Sequence, residues 1–324
     1  MLAGKTVVVT GGAGFIGSNL CESLLEKGAT VICLDNLSTG KLENIVTFRN
    51  HPQFRLIEGD IRDLSVCLSA FAGADYVLHH AALGSVPRSI QDPHTTNEVN
   101  VAGFLNVLEA ARQTSIKRLV YASSSSVYGD WEESPKIETR TGNLLSPYAV
   151  SKYTNELYAG VYQRLHGLPC IGLRYFNVFG KRQNPLGEYA AVIPRFINLL
   201  KKGEQPTIFG NGTQARDFTY IENVVQVNLK ALVSAPTSTG RCYNVACGVA
   251  TSLNELFALI VRLMANYYPE VAHIQPRYAP PRPGDIPFSL ASIELAKTHL
   301  GYAPTHFLAE GLAATIDWYL RSDN

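Results

Sequence analysis

The sequence predicts a doubly wound α/β fold, in which helices cover both faces of a parallel sheet. Short β-branched runs alternate with longer amphipathic runs through the first half of the chain. The short runs are apolar nearly throughout, as strands buried on both faces are. A glycine-rich turn follows the first run and opens the first helix, which is where folds of this class bind a dinucleotide.

The first half of the chain supplies the predicted sheet. Thr6–Thr10 is predicted to be the first strand and Phe15–Lys27 the first helix. The other predicted strands are Thr30–Asp35, Phe54–Glu58, Tyr76–His79, Arg118–Ser123 and Cys170–Tyr175. Further helices are predicted at Val99–Ser115 and Pro147–His166. Residues 1–176 are therefore assigned to a Rossmann-type dinucleotide-binding domain.

Beyond about Asn177, proline and glycine become frequent and the rhythm changes. Helices are predicted at Val192–Lys202, Ile221–Ser234, Ser252–Tyr267, Ile293–Leu300 and Leu308–Arg321. Residues 177–324 should thus form mainly a smaller, loop-rich domain over the carboxyl edge of the sheet. The boundary is not a single cut, because a strand near Cys242–Ala246, within the segment 218–247, is expected to return to the main sheet.

The composition limits the classes of partner. The chain has 28 Lys and Arg against 27 Asp and Glu, and the net charge of +1 favours neither a nucleic acid nor a membrane surface. We find no run of roughly 20 apolar residues and no signal-peptide pattern. The six cysteines are scattered without a CxxC pair, which predicts reduced thiols rather than disulfides or a metal site. We expect a cytoplasmic protein without a metal.

Three glycines and two aspartates outline a cofactor site. Gly11, Gly14 and Gly17 stand where a chain must turn tightly, approach a pyrophosphate and pack helix against strand. Asp35 ends the second strand, where a carboxylate accepts the ribose hydroxyls and repels a 2′-phosphate. This favours NAD over NADP, although an ordinary turn would also suit Asp35. Asp60 ends the third strand region and is expected to flank the adenine.

A Tyr–Lys pair marks the chemical site. Tyr148 and Lys152 are four residues apart and share one face of a predicted helix. A neighbouring ammonium favours the phenolate, so we expect a lowered pKa of Tyr148 and a general base. Taken alone the pair is weak, because many solvated helices carry one. His79 and His80 lack accompanying ligands and are expected to be structural.

Eight motifs together resemble the extended short-chain dehydrogenase/reductase family. In chain order they are GGAGFIG (11–17), DNLSTG (35–40), GDIRD (59–63), HHAA (79–82), SSSSVYG (123–129), SPYAVSK (146–152), RYFNVFG (174–180) and RDFTYI (216–221). The chain is most similar to nucleotide-sugar 4-epimerases, especially the bacterial group acting on UDP-N-acetylglucosamine. AALGSVPRS (81–89) and GEYAAVIP (187–194) carry that particular resemblance.

The resemblance implies inversion at the sugar C4 through a transient 4-keto sugar, with no net redox change, in a pathway to surface polysaccharide. Tyr148 would be the base, Lys152 would lower its pKa and hold the nicotinamide ribose, and Ser124 would share the 4-hydroxyl proton. The residues implied to bind NAD are Gly11, Gly14, Phe15, Ile16, Gly17, Asp35, Asn36, Ser38, Gly40, Asp60, Ile61, Ala81, Asn100, Tyr148, Lys152 and Tyr175. Asn100 is expected to hold backbone or water there rather than to react.

The resemblance also implies a UDP-sugar pocket. Its implied residues are Ser85, Arg88, Ser124, Ser125, Ser126, Asn177, Ala191, Val192, Phe209, Arg216, Arg282, Asp285 and Ser289. Arg216 and Arg282 would contact the diphosphate, and Phe209 would pack near the uracil. Ser289 would lie beside the C2 substituent, where a small residue leaves space for an N-acetyl group. Gly84 replaces a larger polar residue of many hexose epimerases and leaves more room.

Several alternatives stay open. Related 4,6-dehydratases carry an acidic pair, and related decarboxylases a Glu, where this chain has Ser125 and Ser126, which favours epimerisation. A 4-epimerase for UDP-glucose or UDP-glucuronate and a silent NAD-binding protein are the competing functions.

The resemblance implies a homodimer as well. The helices Val99–Ser115 and Pro147–His166 would meet their twins in a four-helix bundle. The bundle would form through a face that includes Ala149, Val150, Leu157 and Val161. The same residues could instead pack inward.

Overall fold

The computed structural model describes residues 2–186, 190–281 and 286–321. Its strands, in chain order, are β1 (Thr6–Thr10), β2 (Thr30–Asp35), β3 (Phe54–Glu58), β4 (Tyr76–His79), β5 (Arg118–Ser124), β6 (Cys170–Tyr175), β7 (Val178–Phe179), β8 (Thr207–Phe209), β9 (Ala215–Asp217), β10 (Thr219–Tyr220), β11 (Arg241–Val245), β12 (Ala250–Ser252), β13 (Arg277–Ala279) and β14 (Phe288–Ser289). The strands predicted in the first half agree with β1 to β6 to within one residue.

Helices connect most of these strands. In chain order they are α1 (Phe15–Glu26), α2 (Leu64–Phe71), α3 (Val86–Gln91), α4 (Pro93–Asn97), α5 (Gly103–Gln113), α6 (Pro147–His166), α7 (Val192–Lys201), α8 (Ile221–Val233), α9 (Leu253–Met264), α10 (Glu294–Leu300) and α11 (Leu308–Arg321). A π-helical turn, Glu98–Ala102, precedes α5, and short 3-10 turns lie at Leu42–Ile45, Ser125–Tyr128, Pro236–Ser238 and Pro269–His273. The predicted helix Val99–Ser115 therefore combines this π turn with α5.

Seven parallel strands form the central sheet in the order β3-β2-β1-β4-β5-β6-β11. The strand order reverses between β1 and β4, which is the point where open α/β sheets bind ligands. β11 is the edge strand, and its Val245 is the register partner of Tyr175 on β6. The predicted return of the chain near Cys242–Ala246 is thus confirmed.

Burial on both faces explains why the strands read as apolar runs. Val7 and Val9 of β1 pack with Leu20 of α1 in one core cluster. Val8, between them, packs with Phe71 and Phe104 in a second cluster. Successive strand residues point to opposite faces, so a strand covered by helices on both sides needs an apolar residue at each position.

The second half of the chain builds small sheets rather than one large one. β9 lies between β12 and β14, and β8 pairs with β13. These strands have only two or three residues, too few for the alternation that signals a strand, and the sequence did not predict them. The helices of this half were predicted to within three residues at each end. The division of the chain at residues 176 and 177 stays a prediction.

Two further expectations concern the whole chain. The six cysteines are unpaired, and all but the half-buried Cys242 are buried; their reduced state stays a prediction. Among the residues that the structure describes, no helix has both the length and the apolar character needed to cross a bilayer.

Candidate active site

A cleft of about 520 Å³ lies at the carboxyl end of the central sheet. The glycine turn, the ends of β2 to β6 and helix α6 form its walls. The predicted cofactor residues that line it are Gly11, Gly14, Phe15, Ile16, Gly17, Asp35, Asn36, Ser38, Gly40, Asp60, Ile61, Ala81, Tyr148, Lys152 and Tyr175. The parallel sheet brings them together because strands that run in one direction end at one edge.

The glycine turn has no room for side chains. Gly11 has a φ of +69°, and a Cβ there would lie 2.6 Å from the backbone nitrogen of Ala81. A Cβ on Gly17 would lie 2.0 Å from the carbonyl oxygen of Gly11, so the helix packs on the turn only because residue 17 is glycine. Gly14 caps α1 without a side chain, and the first turn of that helix has no acidic residue. This helix terminus suits a pyrophosphate.

Two carboxylates border the adenosine side of the cleft. Asp35 is buried and accepts hydrogen bonds from the backbone of Ala13 at 2.9 Å and Leu37 at 2.8 Å. Burial raises the pKa of Asp35, and these two backbone donors act against the rise. Hydrogen bonds from Arg62 lower the pKa of Asp60 to about 2. Two neighbouring carboxylates disfavour a 2′-phosphate, so the cleft fits NAD.

Asn100 is the one predicted cofactor residue that does not line the cleft. Its side chain is buried and binds both backbone groups of Leu83, accepting from the nitrogen at 2.8 Å and donating to the oxygen at 3.1 Å. It also donates to Ser151 Oγ at 3.1 Å. These bonds occupy its amide in the structure, and direct contact between Asn100 and the cofactor stays a prediction. The expectation that it holds backbone is confirmed.

The predicted catalytic residues share one wall of the cleft. Tyr148 and Lys152 project from α6, and Ser124 ends β5. Helix α6 begins here because Ser146 accepts from the backbone nitrogen of Ala149 at 3.1 Å and Pro147 follows it. Lys152 is only 2% exposed and donates to the carbonyl oxygen of Ala122 at 2.9 Å.

A cluster of hydroxyls surrounds Ser124. Its Oγ accepts from the backbone nitrogen of Ser126 at 3.1 Å, and the two hydroxyl oxygens lie 2.9 Å apart. Ser125 begins the 3-10 turn that follows. The side chains that meet at Ser124 in this wall of the cleft are therefore neutral hydroxyls.

The predicted diphosphate and specificity residues meet on neighbouring strands. Ser289 of β14 is the register partner of Arg216 on β9. Asn177 donates through Nδ2 to the carbonyl oxygen of Asp217 at 2.9 Å, so it holds the strand that carries Arg216. These residues lie outside the walls of the cofactor cleft as described.

The remaining predicted substrate residues are spread over several loops. Ser85 lines the cleft and caps α3, where it accepts from the backbone nitrogen of Arg88 at 3.1 Å. Ala191 and Val192 begin α7 and Phe209 ends β8. Arg282 and Asp285 lie outside the described residues. A Cβ on Gly84 would meet no atom within 4 Å, which confirms the extra room expected there.

The sequence matches the model of the NAD dependent epimerase/dehydratase family over residues 7–246. The chain belongs to this family. Its cofactor is NAD, and the predicted membership of the extended short-chain dehydrogenase/reductase family is confirmed.

Similar proteins of known structure cover nearly the whole chain. A UDP-N-acetylglucosamine 4-epimerase from Methanobrevibacter ruminantium, in complex with UDP-N-acetylmuramic acid, is 36% identical with a TM-score of 0.90, over 99% of both chains. A UDP-glucose 4-epimerase from Thermotoga maritima, with UDP-glucose, is 34% identical with a TM-score of 0.88, over 98% of this chain and 100% of that one. A putative UDP-glucose 4-epimerase from Methanocaldococcus jannaschii is 38% identical over 96% of this chain and 97% of its own length.

The electrostatics of this family member differ from the expectation for Tyr148. Burial raises the pKa of Tyr148, and the Ser124 hydroxyl, which stabilises the phenolate by hydrogen bonding, acts in the opposite direction. The predicted net lowering of this pKa is therefore wrong for the protein alone, because burial is the larger effect. Lys152 donates to the carbonyl oxygen of Ala122, and burial lowers the pKa of Lys152 itself to about 8.

Both histidines are hydrogen-bonded within the fold, and both are neutral. His79 Nδ1 lies 2.8 Å from Thr10 Oγ1. Burial lowers the pKa of His79 well below its ordinary value, and burial together with the Lys152 charge lowers that of His80 to about 3. The ammonium of Lys152 is therefore not accompanied by an imidazolium at this end of the cleft.

The sequence analysis did not single out two buried carboxylates near the site, Glu156 and Asp217. Glu156 accepts from Ser123 Oγ at 2.6 Å and forms a two-bond ion pair with Arg174 at 2.7 and 2.9 Å. Its spacing of four residues after Lys152 was the available signal. Asp217 accepts from the backbone of Cys247 and Gly248 at 2.9 Å, and burial raises its pKa to about 6.

Proposed function

We propose that this protein interconverts UDP-N-acetylglucosamine and UDP-N-acetylgalactosamine by inversion at C4, with UDP-glucose as a slower substrate. The observation that carries the proposal is the joint placement of Ser124, Tyr148 and Lys152 on one wall of an NAD-shaped cleft. Residues 125 and 126 are serines, so this wall has no acid at those positions to eliminate water. An epimerase needs none, because only one proton moves at the sugar 4-oxygen.

Residues of this chain would accept that proton and return it. NAD supplies a reversible hydride acceptor at C4 when it is bound. Tyr148 takes the proton of the 4-hydroxyl at its phenolic oxygen and returns it to the 4-keto oxygen after the sugar ring has presented its other face. Ser124 donates a hydrogen bond to the same oxygen and so holds the keto form. Lys152 places a positive charge in a desolvated wall, where it stabilises the phenolate more than it would in water.

Two small residues support the choice of an acetylated sugar. We infer that Ser289, in register with Arg216, lies beside the C2 substituent when Arg216 holds the diphosphate. A serine there leaves space and offers a hydrogen-bonding hydroxyl for an acetamido group. Gly84 adds open space in the loop that lines the cleft. In a site with spare room, the smaller hexose loses only about 1–3 kcal/mol of transition-state binding relative to the acetylated sugar. Some activity on UDP-glucose is therefore expected.

A UDP-glucuronate 4-epimerase is the second candidate, and the hydroxyl cluster favours it. Ser124 and Ser126 lie within hydrogen-bonding distance of each other, and such a cluster could solvate a sugar carboxylate. Arg88 lies on α3, which Ser85 caps at the cleft wall. We rank this candidate second because the cluster itself carries no cation.

Parallel NMR assays separate these candidates. Purified protein is incubated with UDP-N-acetylglucosamine, UDP-glucose or UDP-glucuronate, without added NAD. The proposal predicts fastest inversion of the acetylated sugar by cofactor that is already bound. Faster inversion of UDP-glucuronate would replace the proposal by the second candidate. If none of the three sugars is inverted, with or without added NAD, the protein would instead be a catalytically silent NAD-binding protein.

We also propose that the protein forms a homodimer through α6. Four apolar side chains of this helix recur on one face and are 36% to 72% exposed: Val150, Leu157, Val161 and Leu165. A contiguous apolar stripe of this kind is typical of a helix that packs on a partner. Ala149, predicted for the same face, is buried within the protomer, so it does not belong to the stripe.

Light scattering coupled to gel filtration tests the dimer. Leu157→Glu should convert a dimer to a monomer, because it places a charge in the apolar stripe. Val233→Glu is the matched control, since Val233 is a 51% exposed apolar residue of α8. A monomeric wild-type protein, or equal effects of the two variants, would contradict the proposed interface.

A further inference from the structure

A chain of hydrogen bonds joins three side chains at the floor of the cleft. Asn228 of α8 donates through Nδ2 to the Tyr175 hydroxyl at 2.8 Å. The same hydroxyl lies 2.9 Å from Nε2 of His80. The rings of His80 and Tyr175 are nearly parallel, with 20° between their planes and 6.0 Å between their centroids. His80 and Tyr175 line the cleft, and Asn228 is fully buried behind them.

The backbone fixes the direction of these bonds. Asn228 Nδ2 also lies 2.8 Å from the carbonyl oxygen of Val224, which can only accept. The group facing Val224 must therefore be the NH2 group of the amide. Its second hydrogen is directed to the Tyr175 oxygen, so the hydroxyl proton of Tyr175 is left for Nε2 of His80. On this basis we assign His80 the neutral tautomer with its proton on Nδ1.

The strand register places this set beside the proton-transfer residues. Tyr175 on β6 is the register partner of Ser124 on β5. The strand β5, which ends at Ser124, lies between β4 and β6. The hydrogen bond from Tyr175 at the end of β6 to His80 after β4 therefore passes beside the end of β5. An aromatic ring next to Ser124 and in the same cleft as Tyr148 lies where the nicotinamide of the proposed reaction must be held.

We propose that His80 and Asn228 are positioning residues for the epimerase reaction, and that they act by holding the Tyr175 ring as a fixed support for the nicotinamide. This inference rests on the proposed function. The Tyr175 hydroxyl is hydrogen-bonded on both sides, to Asn228 and to His80. These bonds fix the ring, so the ring face next to the cofactor keeps one position. Epimerisation transfers a hydride from the sugar C4 to the nicotinamide and then back to C4. Both transfers depend on the position of the nicotinamide, since a displacement of about 1 Å can cost on the order of 100-fold in rate.

The charge of the set supports the same role. Burial and the Lys152 charge lower the pKa of His80 to about 3, and burial raises that of Tyr175 well above its ordinary value. Both groups are therefore neutral at physiological pH. A neutral support does not repel the positively charged oxidised nicotinamide, whereas a histidinium at this position would.

The test is a double-mutant cycle on the holoenzyme with the sugar that the wild type inverts fastest. His80→Phe keeps a ring but removes the acceptor, and Tyr175→Phe removes the shared hydroxyl. We expect each variant to lower kcat on the order of tenfold while KM for the UDP-sugar changes less than about twofold. We expect the double variant to lose no more than the more damaged single variant, because both remove one interaction.

Conservative replacement completes the test. His80→Gln can place an acceptor oxygen near the position of Nε2 and should recover most of the lost kcat. Thermal unfolding of each holoenzyme distinguishes a positioning role from a packing role. An unchanged kcat in His80→Phe, multiplicative losses in the double variant, or lower thermal stability with normal kcat would overturn the inference. Inversion by the wild type in the same experiment shows separately that the proposed function stands.

Discussion

The cofactor half and the substrate half of this protein place their functional residues by different means. In the cofactor half, parallel strands end at one edge, and fifteen of the sixteen predicted NAD residues line one cleft. In the substrate half, Arg216 and Ser289 lie on strands of two or three residues, and other predicted contacts lie on loops or helix starts. The register of the long parallel strands positions the first set, whereas pairs of short strands and individual side-chain bonds such as Asn177 to Asp217 position the second.

This contrast predicts where the protein tolerates change. The reaction chemistry depends on the rigid edge and should be lost by small alterations there. Substrate choice depends on the loop-rich half and should shift without loss of the chemistry. The following variants test that division, in decreasing order of expected effect.

Tyr148→Phe should have the largest effect. It removes the hydroxyl that accepts the substrate proton while keeping the ring, and kcat should fall by about 10²–10⁴-fold. Steady-state kinetics at saturating UDP-sugar measure the loss. Tyr158→Phe is the matched control, because Tyr158 lies on the same helix with 37% of its surface exposed. Comparable kcat values for the two variants would refute the assigned base.

Ser289→Tyr should change specificity and leave the chemistry intact. The added ring fills the space proposed for the acetamido group, so the ratio of kcat/KM for the acetylated sugar to that for UDP-glucose should fall about 10- to 200-fold. Ser289→Ala keeps the space and isolates the role of the hydroxyl. If both sugars lost activity equally in Ser289→Tyr, Ser289 would not be the specificity residue.

Gly17→Ala should damage the cofactor half directly. The new Cβ would lie 2.0 Å from the Gly11 carbonyl oxygen, and overpacking of this kind costs about 1–3 kcal/mol or more. Bound NAD, measured after denaturation of the purified protein, should decrease together with the thermal midpoint. Gly160→Ala in α6 meets only the flexible end of Arg164 and should be neutral. Full NAD content in Gly17→Ala would contradict the packing argument.

Lys152→Met should stabilise the protein while it abolishes turnover. Burial lowers the pKa of Lys152 from 10.5 to about 8, so below pH 8 the folded state carries the whole cost of a buried charge. The variant also loses the hydrogen bond to Ala122. With that loss included, its free energy of unfolding should exceed that of the wild type by about 1–2 kcal/mol at pH 7. Between pH 8 and 10.5 the folded wild type loses this proton before the unfolded chain does, so its stability rises and the gain shrinks.

Denaturant unfolding at several pH values without added nucleotide measures this difference. Exposed Lys27 supplies the control variant Lys27→Met, which removes an ammonium from the surface rather than from the interior. A Lys152→Met protein that is less stable than the wild type at pH 7 would show that the buried ammonium does not destabilise the folded state.

The same contrast explains which predictions succeeded. The strands β1 to β6 have long apolar runs bounded by turn residues, and register then carries Asp35, Ser124 and Tyr175 to one edge. The roles of Glu156 and Asp217 were not predictable, because their partners Arg174 and Cys247 are distant in the chain or contribute backbone. The particular partner of Asn100 was not predictable for the same reason, since its amide binds the backbone of a remote loop.

The raised pKa of Tyr148 shows a further limit of sequence reasoning. The four-residue spacing to Lys152 predicted proximity on a helix face. It did not predict that burial raises the pKa of Tyr148 or that the ammonium binds the Ala122 carbonyl. Desolvation depends on the whole fold around a group, which no local motif contains.

The central claim is that hydrogen leaves and returns at C4 without exchange with solvent. The most direct test incubates the holoenzyme with UDP-N-acetylglucosamine in D2O and follows the sugar protons by NMR. We expect UDP-N-acetylgalactosamine to form with protium retained at C4, because Tyr148 and Ser124 exchange only the hydroxyl proton. Deuterium at C4 of the product would mean that a base removes a carbon-bound proton, and it would contradict the mechanism derived from this cleft.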